Sequence, residues 1–431
     1  MRRVLVRTFG CKLNQYESQF ISESFATSGH CLTEDESLAD IHVINTCSVT
    51  ARTDSEARQF IRRALRANAD ALIVATGCYA QRAPWEIAKI GGVGLVAGNA
   101  EKSRLPRLVE TFPRDGPVSV QVADTGAAIG ALRCSPDFQR RSRALVKIQD
   151  GCDGSCSYCV VPSVRGSSRS EPPERIVEEV GRLEASGFRE VVLTGARVGS
   201  YGRDLGENHS LESLLRTLVD SSDSTRFRLS SLEPLEVHTS LLRLVAEEER
   251  ICAHFHVPLQ SADEENLSAM QRPYSPAEYA DRILAIKRLC PDACIGSDVM
   301  AGFPGEGESA FERTYDFIAS LPLSYLHVFP FSRRPGTRAW SMERQCPDSV
   351  KRARAAALRK LGQMKRSEFI ESQIGTVHDV ILEKEIEQGV FTSSSGNYLR
   401  AHVKASGRTR GEAMRVRMYG RLNGKLIGKP C

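Results

Sequence analysis

The loop Gln149–Arg165, QDGCDGSCSYCVVPSVR, constrains this chain more than any other stretch. It carries Cys152, Cys156 and Cys159 in a C-x3-C-x2-C spacing. Three thiols this close cannot all pair as disulfides, yet a single loop can wrap them around a metal cluster. Thiolates are soft ligands and suit iron–sulfur clusters. A cubane held by three cysteines leaves one iron open to a small molecule with amino and carboxylate groups, such as S-adenosylmethionine. Gly151 and Gly154 let the loop turn tightly, and the strand-like run Ala144–Ile148 leads into it. The competing reading of the same residues is a zinc loop or buried thiols.

The chain of 431 residues is too long for one ordinary core, so two or three domains are expected. No apolar run is long enough to span a membrane. The start, MRRVLVRTFGCKLNQYES, reads as a strand and turn rather than a signal peptide. Thirteen cysteines in that setting point to a reducing compartment, the cytoplasm, and to metal or redox use. The net charge is only +5, but Gly396–Cys431 carries nine Lys or Arg against one acid, Glu412. A basic tail on a near-neutral body points to a polyanion, with a merely solubilising tail as the competing reading.

From the start to about residue 125, short apolar runs alternate with helical ones. Val4–Thr8, Ile41–Asn45, Ala71–Ala75 and Gly94–Ala97 read as buried strands; Gln15–Ser28, Ser48–Ala67 and Pro84–Ile90 read as helices. That alternation predicts an open parallel sheet with helices on both faces, whose ligand sites lie at the carboxyl ends of strands. Cys11 follows the first strand, Cys47 the second and Cys78 the third. Each sits just before a helix, where a thiol's pKa falls. The fold would bring all three to one rim, which suggests a second cluster with an open iron.

Residues 126–143 read as a linker with small residues, Cys134 and the basic run Arg140–Arg143. Six strand candidates then alternate with helices: Ala144–Gln149, Glu190–Gly195, Arg226–Ser231, His254–Leu259, Cys294–Met300 and Tyr325–Phe331. Units that do not close at eight predict a partial (β/α)6 barrel with functional residues at the strands' carboxyl ends. Cys290 and Cys294 read as buried or free thiols, and His254 and His256, on one strand face, as hydrogen-bonding residues, with a metal pair as the competing reading of each. Asp348–Gln373 reads as a long basic helix. After it, Val377–Leu382, Tyr398–Val403 and Ala413–Leu422 alternate with Gly, Ser and Asn, which predicts a small antiparallel barrel of the oligonucleotide-binding kind. The fold class is thus multidomain α/β, with boundaries at 1–125, 126–143, 144–373 and 374–431.

With these pieces together, the chain resembles the radical S-adenosylmethionine methylthiotransferases over nearly its whole length. GCKLNQYES, NTCSVT and GCYAQ look like that family's three amino-terminal cysteine motifs, and the loop around Cys152 looks like its radical cluster loop. The resemblance implies two 4Fe–4S clusters, one on Cys152, Cys156 and Cys159 and an auxiliary one on Cys11, Cys47 and Cys78. It implies S-adenosylmethionine in the barrel mouth, with Thr194, Gly195, Ser231, Gln260 and Asp298 as contacts. The family's Asn in the first motif matches Asn14, expected to order its loop. Arg165-Gly166 and Arg169-Ser170 follow the family pattern, whereas Glu171 stands where a basic residue is expected, which weakens a phosphate grip there. The terminal barrel resembles the TRAM domain, with Tyr398, Arg400, Lys404, Arg415, Arg417 and Tyr419 as RNA contacts. Together with GCKLNQYES, the run LPLSYLHVFPFSRRPGT is similar to the MtaB type. That type adds a methylthio group to threonylcarbamoyladenosine in the transfer RNA anticodon stem-loop.

In the implied reaction, one cluster reduces S-adenosylmethionine to a carbon radical that activates an aromatic C–H. The other offers a sulfur that a second S-adenosylmethionine has methylated. An electron donor such as flavodoxin or ferredoxin and a sulfur donor are further implied partners, and no membrane is involved. Within the family, the alternatives are isopentenyladenosine or a ribosomal-protein aspartate as substrate. Outside it stand a non-catalytic iron–sulfur RNA-binding protein or redox sensor, and a zinc-bound RNA-binding protein.

Overall fold

The computed structural model describes residues 1–113, 116–125, 135, 142–422 and 424–431. Cys134, Gly126–Gly130 and Arg140 and Arg141 of the basic run Arg140–Arg143 lie outside the described residues. The chain packs as two compact units. The first comprises Met1–Arg140, Asp150–Arg169 and Ser332–Trp340; the second comprises Arg141–Gln149, Ser170–Phe331 and Ser341–Cys431. By packing, therefore, the central cysteine loop belongs with the amino-terminal domain.

In the first unit a six-stranded parallel sheet has the order β2-β1-β3-β4-β5-β6. The strands are β1 (Arg3–Thr8), β2 (Cys31–Leu32), β3 (Ile41–Thr46), β4 (Leu72–Gly77), β5 (Val93–Ala97) and β6 (Ser119–Gln121). The four expected strands are present; two short edge strands were not legible as apolar runs. Strand β3 is buried throughout, as expected of a parallel strand covered on both faces. Helices Lys12–Thr27 and Ala51–Ala67 flank the sheet. The second starts at a capping box, in which Thr50 accepts from the Thr53 backbone and Thr53 returns the bond.

The second unit holds the partial barrel. Its strands are β7 (Ala144–Lys147), β10 (Glu190–Thr194), β11 (Arg226–Leu229), β12 (His254–His256), β13 (Cys294–Ala301) and β14 (Tyr325–Pro330), and the short β8 (Gln149–Asp150) and β9 (Arg169–Ser170) flank the cysteine loop. They pair in parallel as β11-β10-β7 and β12-β13-β14. The two halves meet where Phe227 bridges Ile251 and Leu232 N–H bonds the His256 carbonyl at 2.9 Å. Six strands stand where six were expected, and the apolar core lies between them and the outer helices.

The carboxyl-terminal barrel is closed and five-stranded, in the order β15-β16-β17-β19-β18. Its strands are β15 (Val377–Glu387), β16 (Val390–Ser395), β17 (Arg400–Lys404), β18 (Ala413–Leu422) and β19 (Lys425–Pro430). The sequence indicated three of them. The serine-rich β16 and the glycine-containing β19 carry too few apolar residues to stand out. One carboxylate joins this barrel to the larger one. Fully buried Glu190 accepts from Arg226 Nε at 2.6 Å and Arg228 Nε at 2.8 Å. Arg226 reaches the carbonyls of Asp379 and Ser394, and Arg228 those of Ser395 and Gly396. Burial alone would raise the Glu190 pKa, but the arginines hold it far below the usual carboxylate range.

Candidate metal centres and cofactor mouth

Each amino-terminal cysteine ends a strand and opens a turn, as the alternation predicted. Cys11 caps the helix Lys12–Thr27, Cys47 follows β3, and Cys78 opens the short helix Cys78–Arg82. Gly10 has φ +98°, and a β-carbon there would stand 2.5 Å from Cys47 Sγ. Gly77 has φ +94°, and its β-carbon would stand 2.6 Å from Asn45 Oδ1. Only glycine brings these backbones so close.

Asn14 ties the turns together. Its Nδ2 donates to the carbonyls of Phe9 and Thr46, both at 2.9 Å, and so spans the Cys11 and Cys47 turns. The ordering role expected of it is visible in these bonds. The three thiols are near enough to act on one another. Contrary to the lowering expected at a helix start, burial first, then Cys78 and Cys11, push the Cys47 thiol up to about 12. Cys11 keeps an exposed edge, yet the surrounding protein raises its thiol as well, against the opposing charge of Arg165.

The second triad belongs to the same unit. Cys152 N–H bonds the Gly166 carbonyl at 3.0 Å, closing the loop. Gly154 N–H points at Cys152 Sγ at 3.3 Å, and Val161 N–H at Cys159 Sγ at 3.4 Å. Such N–H···S donors stabilise thiolate ligands. Ala339 N–H bonds the Ser157 carbonyl at 2.8 Å and holds the loop from the segment Ser332–Trp340.

Both donor sets are thiols only. Soft thiolate donors of this kind suit an iron–sulfur cluster.

Around these cysteines lies charge that the sequence did not reveal. Arg165 is buried, with Glu17, Asp150 and Asn14 as partners, and Lys102 pairs with Glu17. Arg169 turns to the carbonyls of Arg165 and Ser167. Arg165 is thus held inside the protein rather than presented to a phosphate. A second buried cluster sets Asp54 against Arg82 and Arg334, with Ser48 bonded to both arginines. The signal that was available is Glu17, three residues after Asn14 and hence on the same helix face.

In the second unit Thr194 and Gly195 lie at the end of β10 and Ser231 and Gln260 lie beyond β11 and β12, whereas Asp298 sits inside β13. Thr194 closes β10 and is buried, and Gly195 packs on Gln149, whose side chain accepts from Arg197 N–H at 2.8 Å. Ser231 is exposed just beyond β11. Gln260 has φ +65°, an expensive backbone for a side-chain-bearing residue, and its N–H bonds the Asp298 carbonyl at 2.9 Å. Backbone bonding thus brings Gln260 and Asp298 together.

The side chain of Asp298 accepts from His256 Nε2 at 2.9 Å and lies 3.4 Å from His327 Nδ1. Burial opposes ionisation of Asp298, yet the two imidazoles hold its pKa far below the usual range. Tyr325 OH links His254 and His256 at 2.9 and 3.1 Å, so the two histidines do hydrogen-bond. His256, Asp298 and His327 also form a group of three ligand atoms within 4.8 Å. Cys290 and Cys294 are buried, the former near the Leu242 carbonyl and the latter near Arg366.

On the terminal barrel, Arg415, Arg417 and Tyr419 alternate along the outer face of β18, with Val416 and Met418 inside. Tyr419 is 56 % exposed. Arg400 lines a cavity of about 630 Å³ with Lys384, Arg408 and Arg410, and Lys404 is exposed at the end of β17. Tyr398 departs from expectation. Its ring stacks on His254 at 4.4 Å and lies under the Arg228 guanidinium at 5.3 Å, so its faces are occupied within the protein.

Two family descriptions match the chain: the uncharacterized protein family UPF0004 over residues 3–98 and the radical SAM superfamily over residues 146–318. The threonylcarbamoyladenosine tRNA methylthiotransferase MtaB of Aquifex aeolicus is 39% identical over 86% of this chain and 91% of its own length. The Bacillus subtilis protein of the same name is 34% identical over 97% of this chain and 94% of its own. The chain belongs to the radical S-adenosylmethionine methylthiotransferases. As a methylthiotransferase it is an enzyme that uses an iron–sulfur cluster and S-adenosylmethionine. A tRNA-2-methylthio-N(6)-dimethylallyladenosine synthase of Pelotomaculum thermopropionicum is 33% identical over 92% of this methylthiotransferase and 91% of its own length. Among solved structures, the radical S-adenosylmethionine methyltransferase TsrM of Kitasatospora setae covers 78% of the chain and 77% of its own, with a TM-score of 0.59 and 17% identity. That likeness concerns the fold alone.

Proposed function

We propose that this enzyme adds a methylthio group to carbon 2 of N6-threonylcarbamoyladenosine, next to the anticodon of transfer RNA, in the cytoplasm. The carrying observation is the similarity to relatives named for that nucleoside, over nine-tenths or more of their length. Both cysteine triads and the basic terminal barrel agree with it.

Cys152, Cys156 and Cys159 would hold a 4Fe–4S cluster with one open iron, and Cys11, Cys47 and Cys78 an auxiliary one. When bound, the two clusters supply reductive cleavage of S-adenosylmethionine and a sulfur for transfer. The chain's own residues do the rest. The N–H groups of Gly154 and Val161 steady the thiolates of the first loop. Asn14 fixes the turns of the second. Thr194, Gly195, Ser231, Gln260 and Asp298 line the mouth that receives S-adenosylmethionine. The strained backbone of Gln260 supports its place there. Asp298 stays ionised because two imidazoles face it, so it offers an acceptor at neutral pH. Arg400, Lys404, Arg415 and Arg417 neutralise phosphates, and Tyr419 offers a ring for stacking on a base. The electron donor would be a flavodoxin or ferredoxin, and a separate sulfur donor would restore the auxiliary cluster.

A second reading, dimethylallyladenosine as the substrate base, is favoured by the Pelotomaculum relative. Nucleoside mass spectrometry on transfer RNA from cells with and without the gene tests both. Loss of 2-methylthio-threonylcarbamoyladenosine, with its unmodified precursor accumulating, is the expected result. Loss of the dimethylallyl counterpart instead overturns the substrate and keeps the chemistry.

A further inference from the structure

One guanidinium touches the scaffold of both cysteine triads. Arg165 lies in the helix Val161–Arg165, shortly after Cys159, and is only 3% exposed. Its Nη1 donates to Glu17 Oε1 at 2.8 Å and to Asp150 Oδ1 at 3.0 Å. Its Nη2 donates to Asn14 Oδ1 at 2.7 Å and to Glu17 Oε2 at 3.1 Å. Asn14 in turn grips the turns that carry Cys11 and Cys47. Asp150 accepts the Gly151 N–H at 2.8 Å, directly before Cys152. Gly166, next to Arg165, closes the Cys152 loop with its carbonyl. A single side chain therefore bears on the amino-terminal turns and on the central loop.

The charges in this pocket are specific. Lys102 pairs with Glu17, also fully buried. Arg165 and Lys102 balance Glu17 and Asp150 before any cysteine is counted. As cluster ligands, Cys11 and Cys47 would add thiolate charge on the turns that Asn14 links to this buried cation. The pKa of Arg165 itself stands well above its ordinary value: burial opposes the charge, but Cys78, Glu17 and Asp150 outweigh burial.

We propose that Arg165 is a positioning residue that raises the reduction potential of the cluster held by Cys11, Cys47 and Cys78 and holds the two cysteine loops in register. The inference rests on the two-cluster reading above. Reduction adds one negative charge to a cluster, and a fixed buried cation favours the reduced state. Net charge, hydrogen bonding and exposure set such potentials, and low dielectric strengthens the effect. The role belongs to the pair: Glu17 attenuates what Arg165 supplies.

The test is redox titration, followed by electron paramagnetic resonance, of anaerobically reconstituted full-length enzyme. The Cys152→Ala/Cys156→Ala/Cys159→Ala protein identifies the auxiliary signal. Arg165→Gln is expected to shift the auxiliary potential negative and Glu17→Gln to shift it positive. Arg165→Lys keeps the charge but loses the planar fork, so its potential is expected near the wild-type value with slower methylthio transfer. A merely structural pair would give no opposed shifts. Unchanged potentials, or shifts of the same sign, in variants with full iron content overturn the proposal. If Arg165→Gln fails to fold, the sign of the Glu17→Gln shift alone decides. If the wild-type protein binds iron for one cluster only and Cys11→Ala loses none, the two-cluster reading itself fails and this proposal falls with it.

Discussion

The two cysteine triads are built in opposite ways. Cys152, Cys156 and Cys159 share one short loop, shaped by turn residues and by N–H donors a residue or two away. Cys11, Cys47 and Cys78 come from three strands, and only the register of β1, β3 and β4 brings them together. The first set therefore draws more on local backbone chemistry, and the second on the whole amino-terminal sheet. Damage to the sheet should strike the second set first.

The sharpest test of that contrast uses the ligands. Cys152→Ala is expected to abolish both 5′-deoxyadenosine and methylthio product. Cys47→Ala is expected to abolish the product but leave 5′-deoxyadenosine formation, measured by chromatography of anaerobic reactions. Equal loss of both products in Cys47→Ala would break the division of labour.

The next largest effect separates the two buried charge networks. Glu190 binds the barrels of the second unit together and touches no cysteine triad. Glu190→Gln is expected to cost about 3–5 kcal/mol in denaturant melts, with iron content unchanged. Its folded pKa is depressed, so its contribution is complete above the unfolded value of about 4.3 and is lost as pH falls through the lower folded value. Relative to Glu190→Gln, the wild-type protein should therefore lose its advantage in acid. A constant difference down to low pH would contradict this.

Smaller still is Asn14→Ala, which leaves the half-buried Phe9 carbonyl and the buried Thr46 carbonyl without this donor. A cost of about 1–3 kcal/mol is expected, with iron lost from the auxiliary site first. Retention of both clusters under chelator challenge would show that the sheet register alone suffices. Tyr419→Ala should weaken transfer RNA binding by about 1 kcal/mol and leave the salt dependence unchanged, whereas Arg417→Gln should reduce the salt slope by about one. Filter binding at several salt concentrations separates the two.

Much of this was legible from residue order. The strand–cysteine–helix repeat marked the amino-terminal sheet, because buried parallel strands read as unbroken apolar runs. Six barrel strands were visible too, some as apolar runs such as β10 and others by alternation, such as β11 (RFRL) and β12 (HFH). Strands β2, β6, β16 and β19 were not, being short or poor in apolar residues. Tyr398 resembled an exposed stacking residue because nothing local shows that His254 and Arg228 cover its ring.

By itself the sequence determined the ligand chemistry: cysteine spacing, glycine turns and the basic tail are local features that keep their meaning in any fold. Only the tertiary structure decided which charges meet. Glu17, Lys102 and the pair Asp150 and Arg165 come from three separate stretches of the chain, and each alone would be an ordinary surface residue. Buried together, they exclude water, so each charge must find its partner inside the protein. That requirement appears only once the chain has folded.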